Sequence, residues 1–180
     1  MKNIRMILPL VMILCFMASC QNKAEKAELE KFRAQVKLEE QNKAIANRAW
    51  EASSKGDFET LKGLGVPEYV WYLPSNSTKP ISREEAIGKA KRLHSAFPDI
   101  NFSIEELIAV GDKVVCRYIM TGTHKGEFEG IPATGNKVEI SGIMLTRIEN
   151  GKIVEEREDW DMLGFMQQLG MELKPKDVKK

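Results

Sequence analysis

The order of the predicted elements constrains the fold of this chain more than any other feature. Four runs of strand-forming residues follow one another in its second half, at 100–109, 113–124, 137–148 and 152–160. Turn residues join them, and the last connection contains Asn150-Gly151, which is typical of a type I′ hairpin. Helical patterns come earlier in the chain. The sequence therefore predicts an α+β domain in which N-terminal helices cover one face of a curved antiparallel sheet.

The helical half is defined by spacing and by its caps. Leu29, Phe32 and Val36 recur at the spacing of one helix face, and the pattern continues to Ser53. Ser82-Arg83-Glu84-Glu85 is a capping box that predicts the start of a second helix. Between the two helices, the aromatic-rich run 66–73 predicts a strand.

The N-terminus indicates where the protein is located. A short basic segment precedes an apolar run at 6–17, which is shorter than a membrane span and suits a signal peptide. It ends in Ala18-Ser19-Cys20, which resembles a bacterial lipobox and implies a lipidated Cys20. An ordinary secretory signal is the alternative. We expect a protein anchored in a membrane of the bacterial cell envelope, with its domain outside the cytoplasm.

Four segments follow from this interpretation. They are a lipoprotein signal peptide at 1–20, a charged tether and helix start at 21–40, the folded domain at 41–172 and a basic tail at 173–180. The chain has 27 Lys and Arg against 26 Asp and Glu, without a basic patch that carries aromatic residues, so we expect no nucleic-acid partner. Two histidines and no closely spaced ligand set predict no metal site.

The most informative chemistry lies in the last predicted strand. Five of the seven residues from Glu155 to Asp161 are acidic. Strand alternation divides them into Arg157, Asp159 and Asp161 on one face, and Glu156, Glu158 and Trp160 on the other. One face must meet the core, so at least one carboxyl group is expected near the interior with a raised pKa.

Three segments carry a family resemblance. They are His-Ser-Ala-Phe-Pro-Asp at 94–99, Gly-Thr-His-Lys-Gly-Glu-Phe-Glu-Gly-Ile-Pro-Ala-Thr-Gly at 122–135, and Asp-Met-Leu-Gly-Phe-Met-Gln-Gln-Leu-Gly at 161–170. Together they resemble the SnoaL-like polyketide cyclases, also called ester cyclases, of the NTF2-like fold. The chain departs from the family pattern at Ala133, where a second Pro is usual, and at Arg157, where Trp is common. The resemblance implies a cone-shaped domain that uses neither metal nor cofactor.

The resemblance also implies a site. In these cyclases an Asp near the end of the last strand is the general acid/base of an intramolecular aldol closure, and Asp161 matches that position. Asp159 is expected to assist, because two neighbouring carboxylates raise one another's pKa. Arg157 is an anchor for an anionic substrate or enolate, or a cation that lowers the same pKa. His124 is an acid or hydrogen-bond donor to the substrate, or a strand-end residue bonded to a loop. Asp161 itself is equally a helix N-cap.

Four further residues complete the expected site. Tyr69, Trp71 and Phe97 are candidate apolar walls for a small hydrophobic ligand, with plain core packing as the alternative. His94 is assigned to substrate binding, with a satisfied core histidine as its alternative. Two functions stay open. One is a cofactor-free lyase- or isomerase-like cyclase acting on a small apolar carbonyl compound by aldol-type closure, isomerisation or hydration. The other is a non-catalytic lipoprotein that binds a hydrophobic ligand or forms a homodimer through its sheet, at Ile119, Met120, Ile140 and Met144.

Overall fold

The computed structural model describes residues 4–172 and 174, with side chains described from Lys23 onward. Its helices are α1 (Ile4–Lys55), α2 (Phe58–Leu64), α3 (Arg83–Ala96) and α4 (Met162–Gln168). Its strands are β1 (Gly65–Tyr72), β2 (Ile81–Ser82), β3 (Asn101–Val110), β4 (Lys113–Thr123), β5 (Lys137–Glu149) and β6 (Lys152–Trp160). Over this part of the chain no helix is both long and apolar enough to cross a membrane. The side chain of Cys20, and the predicted basic tail apart from Lys174, lie outside the described residues.

Two compact units divide the chain, at residues 1–38 and 39–180. In the first unit, the apolar residues Leu29, Phe32 and Val36 lie on α1 as the spacing predicts, and all three are exposed. The second unit contains the remainder of α1 and every other element.

The six strands form one unclosed sheet with the order β2-β1-β6-β5-β4-β3. Strands β3 to β6 pair antiparallel with their neighbours in sequence, which confirms the predicted meander. At the turn between β5 and β6, Asn150 and Gly151 both have positive φ angles, of 50° and 75°, as a type I′ hairpin requires. Strand β1 runs parallel to β6, so the sheet is mixed rather than wholly antiparallel. No short turn joins β1 to β6, and their relative direction is therefore not restricted to antiparallel.

One face of the sheet packs against the helices. Along β4 and β5 the even-numbered residues are buried, except for the half-buried Gly122, and most of the odd-numbered ones are exposed. Trp50 of α1 and Ala96 of α3 join this core, together with Phe97 directly after α3. Of the four positions expected to serve a dimer interface, Met120, Ile140 and Met144 belong to this buried core. The expectation for these three is wrong, because the alternation of each strand turns them inward.

Hydrogen bonds connect α1 and α3 to the sheet. Side chains of α1 bond to the turn between β3 and β4, and a residue of β2 caps the start of α3. The amide of Asn42 in α1 donates to the carbonyl oxygen of Gly111 at 2.9 Å, in the turn between β3 and β4. The backbone N–H of Gly111 donates to Glu39 at 3.0 Å. Ser82 caps α3 by accepting the N–H of Glu85 at 3.3 Å, which agrees with the predicted capping box.

Candidate active site

Strand β6 alternates as predicted, but its core-facing set is the one that contains Glu158. Glu158 pairs with Met144 and is only 7% exposed, whereas Asp159 pairs with Ile143 and is exposed. A β-bulge explains why Glu158, and not Asp159, faces the core. Ile148 pairs with Ile153, but the preceding residue of β5, Arg147, pairs with Glu155 rather than with Val154. The extra residue, Val154, shifts the alternation by one position. Ile153 and Glu158 therefore both face inward, although one has an odd number and the other an even number.

Glu158 is a buried carboxyl group on the inner face of the sheet. It accepts a hydrogen bond from the hydroxyl of Tyr118, which reaches it across Gly142 of the intervening strand. A Cβ atom at Gly142 would lie 2.3 Å from the Tyr118 oxygen, so the glycine is what lets this ring cross β5. Burial raises the pKa of Glu158 to about 7, and the nearby charge of Glu156 adds to the shift. The hydrogen bond from Tyr118 and the nearby Trp71 indole act in the opposite direction.

A second carboxyl group, Glu156, lies next to Glu158 on the same face. Tyr69 donates its hydroxyl to Glu156 at 2.5 Å, and Thr146 donates at 3.3 Å. Burial raises the pKa of Glu156, while these two hydrogen bonds lower it. The side chains that shift these two pKa values are neutral or acidic, and none of the described ones among them is basic. The inner face of β6 therefore presents two acids that are held by neutral donors, in surroundings that favour their protonated forms.

The opposite face of β6 carries an open depression of about 660 Å³. Asp161, Asp159 and Arg157 line it, but His124 does not, and neither do Tyr69, Trp71 and Phe97. Asp161 is the N-cap of α4, and it accepts the N–H of Gly164 at 2.8 Å. The expectation that Asp159 has a raised pKa is wrong. Hydrogen bonds from the hydroxyl and the N–H of Ser75 lower the pKa of Asp159.

Arg157 is held in this depression by three contacts. Its guanidinium lies 4.1 Å from the centre of the Tyr72 ring, donates to the carbonyl oxygen of Ser75 at 2.9 Å and donates to Glu155 at 2.7 Å. The predicted anchor for an anion is thus engaged with neighbouring groups, on the face opposite to Glu158.

His124 is fully buried and lies far along the sheet from Glu158. Cys116 aligns with Glu158 through Met144, and His124 comes eight residues after Cys116. That separation corresponds to about 26 Å of extended strand. The N–H of Thr134 donates to Nδ1 of His124 at 3.3 Å, so in the neutral ring the proton is on Nε2. This Nε2 is buried and has no partner within the described part of the chain.

The remaining predicted residues fall into two groups. Tyr69 and Trp71 lie with Glu156 and Glu158 on the inner side of the sheet. Phe97 stacks on His124, with ring centroids 5.1 Å apart, and packs in the core. His94 contacts the carbonyl oxygen of Ser53 through Nε2 at 2.7 Å, which corresponds to the satisfied histidine considered as its alternative.

Comparison with known proteins identifies the family. The sequence profile of the SnoaL-like polyketide cyclases matches residues 44–169. The chain belongs to this family. An aklanonic acid methyl ester cyclase, DnrD of Streptomyces peucetius, is 40% identical to the chain over 60 residues, which are 33% of this chain and 41% of that enzyme. The chain thus matches about two fifths of the length of this curated relative.

Solved structures of other proteins share the architecture. AclR of Streptomyces galilaeus, a putative hydroxylase, is 26% identical with a TM-score of 0.68, over 73% of this chain and 97% of that one. IdmH of Streptomyces antibioticus, a putative polyketide cyclase, is 29% identical with a TM-score of 0.63, over 72% and 99%. The fold is accordingly the α+β cone of the NTF2-like proteins, with helices followed by a curved, unclosed mixed sheet.

Sequence reasoning missed three residues of the inner site of this SnoaL-like protein, namely Glu156, Glu158 and Tyr118. One signal could have identified the two acids. Trp160 shares their parity, and a large aromatic residue at the end of a charged strand favours the core-facing side. Among the described residues no three His, Cys, Asp or Glu side chains are grouped as metal ligands would be. The carboxyl groups of Glu156 and Glu158 and the hydroxyl group of Tyr118 are groups that can transfer protons.

Proposed function

We propose that this protein is a cofactor-independent acid–base catalyst that removes a proton α to a carbonyl group, with Glu158 as the base. The observation that carries the proposal is the burial of Glu158, which is 7% exposed, because this burial raises the pKa of its carboxyl group to about 7. A general base is most effective when its pKa lies near the working pH, and burial is the usual way to raise a carboxyl group to that range. Asp159, whose pKa is lowered, is a weaker base.

The proposed reaction is an aldol-type ring closure of a small apolar carbonyl compound. Glu158 takes the α-proton, and the electron pair of the broken C–H bond forms an enolate. The enolate carbon attacks a second carbonyl carbon of the same molecule, which forms the C–C bond and an alkoxide. The protonated Glu158 then returns its proton to that alkoxide, so no cofactor is consumed. Membership of the SnoaL-like family and the name of the ester cyclase relative support this reaction class.

The first test measures deuterium exchange at the α-carbon of 2-acetyl-1-tetralone, an apolar β-diketone. The exchange is monitored by NMR between pH 5 and 9. We expect the enzyme-dependent rate to rise with pH and to be half-maximal near pH 7, where half of Glu158 is ionised. Glu158→Gln should reduce the rate by ~10²–10⁴. Glu139→Gln, which changes an exposed carboxylate, should leave it unaltered.

Asp161→Asn decides between the two candidate bases. This variant keeps the size of the N-cap and removes only its basicity, so the proposal expects an unchanged exchange rate. Loss of exchange in Asp161→Asn, with exchange retained in Glu158→Gln, would transfer the role of base to Asp161.

A non-catalytic binding protein is the second candidate, and one observation favours it. The hydroxyl groups of Tyr118, Tyr69 and Thr146 already donate to the two carboxyl groups, as in a structural hydrogen-bond network. This function predicts that 2-acetyl-1-tetralone raises the melting temperature without enzyme-dependent exchange at any pH.

We also propose that lipidation of Cys20 anchors the protein in the bacterial envelope. The basic segment, the apolar run and the Ala18-Ser19-Cys20 sequence support this. Replacing Cys20 by Ser should abolish labelling by a fatty-acid analogue and release the protein from the membrane fraction. Persistence of both in Cys20→Ser would contradict the proposal.

A further inference from the structure

Trp71 carries a hydrogen-bond donor on the inner side of the sheet. The indole Nε1–H of Trp71 is buried and has no hydrogen-bond partner among the described residues. Buried N–H groups are nearly always paired, because an unpaired one loses its hydrogen bonds to water without replacement. The Trp71 indole therefore has a hydrogen bond to offer to a group that enters the site.

Trp71 occupies a suitable place for a role in the reaction. It pairs with Glu156 in the parallel ladder between β1 and β6. Its indole N–H also acts as a donor toward Glu158 and lowers the pKa of that carboxyl group. The contact falls outside the distance and angle of a hydrogen bond, so the N–H has no partner of good geometry among the described residues. The donor is thus beside the proposed base without being consumed by it.

The hydroxyl donors near the two acids are already engaged. Tyr118 donates to Glu158, while Tyr69 and Thr146 donate to Glu156. Removing an α-proton needs a base at the carbon and a donor at the carbonyl oxygen, where negative charge develops. Glu158 meets the first need, and Trp71 is the unengaged donor beside it.

We propose that Trp71 Nε1–H is the hydrogen-bond donor that stabilises the enolate oxygen of the substrate while Glu158 removes the α-proton. This assignment rests on the proposed function and adds a catalytic residue to it. The α-proton moves to the Glu158 carboxylate, and the electron pair moves to the carbonyl oxygen. The indole N–H donates without transferring its proton, since indole nitrogen acts only as a donor.

Trp71→Phe removes the donor and retains an aromatic ring. In the exchange assay with 2-acetyl-1-tetralone we expect kcat to fall by ~10²–10³, the effect of losing one oxyanion donor, with KM changed only a few-fold. The pH of half-maximal rate should rise, because the indole lowers the pKa of Glu158, but the rate at high pH should stay reduced. Tyr72→Phe is the matched control at the next residue of β1. Tyr72 lies on the opposite side of the sheet, beneath Arg157, and its variant should exchange at the original rate.

Two results in this assay would overturn the assignment. One is an unchanged kcat in Trp71→Phe. The other is a shifted pH of half-maximal rate with full recovery of kcat at high pH, because the indole would then act on Glu158 and not on the substrate.

A second measurement separates this assignment from the proposed base and does not depend on the folding of a variant. The chain has three tryptophans, so ¹⁵N-indole labelling gives three side-chain signals. Addition of 2-acetyl-1-tetralone should move one of them, that of Trp71, to lower field as its N–H gains an acceptor. An unmoved Trp71 signal at saturating probe would overturn the assignment. Exchange that persists in Glu158→Gln would instead refute the proposed base, and the indole signal would still decide the role of Trp71.

Discussion

The ionisation of Glu158 makes folding stability depend on pH in a way that one substitution isolates. Burial raises the pKa of this group from 4.5 to about 7. Each pKa unit corresponds to about 1.4 kcal/mol, so ionising Glu158 in the folded state costs about 3 kcal/mol. The pKa of Glu158 is higher in the folded state than in the unfolded state. Its contribution to the free energy of unfolding is therefore fully present below pH 4.5 and is lost as the pH rises through 7.

Glu158→Gln is the perturbation that tests this. The glutamine side chain keeps the size of the carboxyl group and an oxygen that accepts the hydrogen bond of Tyr118, but it cannot ionise. Urea denaturation at half-unit steps from pH 4.5 to 8.5 gives the free energy of unfolding of both proteins. We expect similar values at pH 4.5 and a variant that is more stable than the unmodified protein by about 3 kcal/mol at pH 8.

The difference between the two curves cancels the groups that titrate equally in both proteins. Glu139→Gln is the control, and its curve should run parallel to that of the unmodified protein because Glu139 is exposed. If the difference between Glu158→Gln and the unmodified protein is constant across this pH range, Glu158 has no raised pKa, and the argument for it as a base fails.

Three further substitutions test the local structure, each by urea denaturation. Gly142→Ala should destabilise the fold by about 1–3 kcal/mol, since a Cβ there meets the ring of Tyr118; unchanged stability would show that the ring does not cross this glycine. Gly126→Ala should cost a similar amount, because a Cβ would lie 2.5 Å from the carbonyl oxygen of Ser95, a backbone atom that cannot move aside cheaply. Asp161→Ala should cost about 1 kcal/mol through loss of the N-cap while Asp161→Asn stays close to the original, and equal losses in both would argue against the cap.

The sequence predicts most of the fold because its local signals agree with one another. The capping residue Ser82 and the Asn150-Gly151 turn each act over a few residues, and the structure confirms both. The inner acids could not be chosen in the same way. Strict alternation from the buried Ile153 predicts that Glu158 faces outward. The bulge opposite Arg147 shifts the alternation, so that Glu158 faces the core. A bulge depends on the pairing of two strands, so within β6 itself only Trp160, which packs against the core, indicates the inward side.

The parallel pairing of β1 with β6 also determines when the site can form during synthesis. Tyr69 and Glu156, which share a hydrogen bond, are 87 residues apart in the chain. A ribosome has made α1, α2, α3 and five of the six strands before it adds the strand that carries both inner acids. Until then β1 and β5 lack their common neighbour, so each presents an unpaired edge that other chains can bind. A nascent chain released before Lys152 would have most of its core residues but would lack Glu156 and Glu158, and we expect it to aggregate.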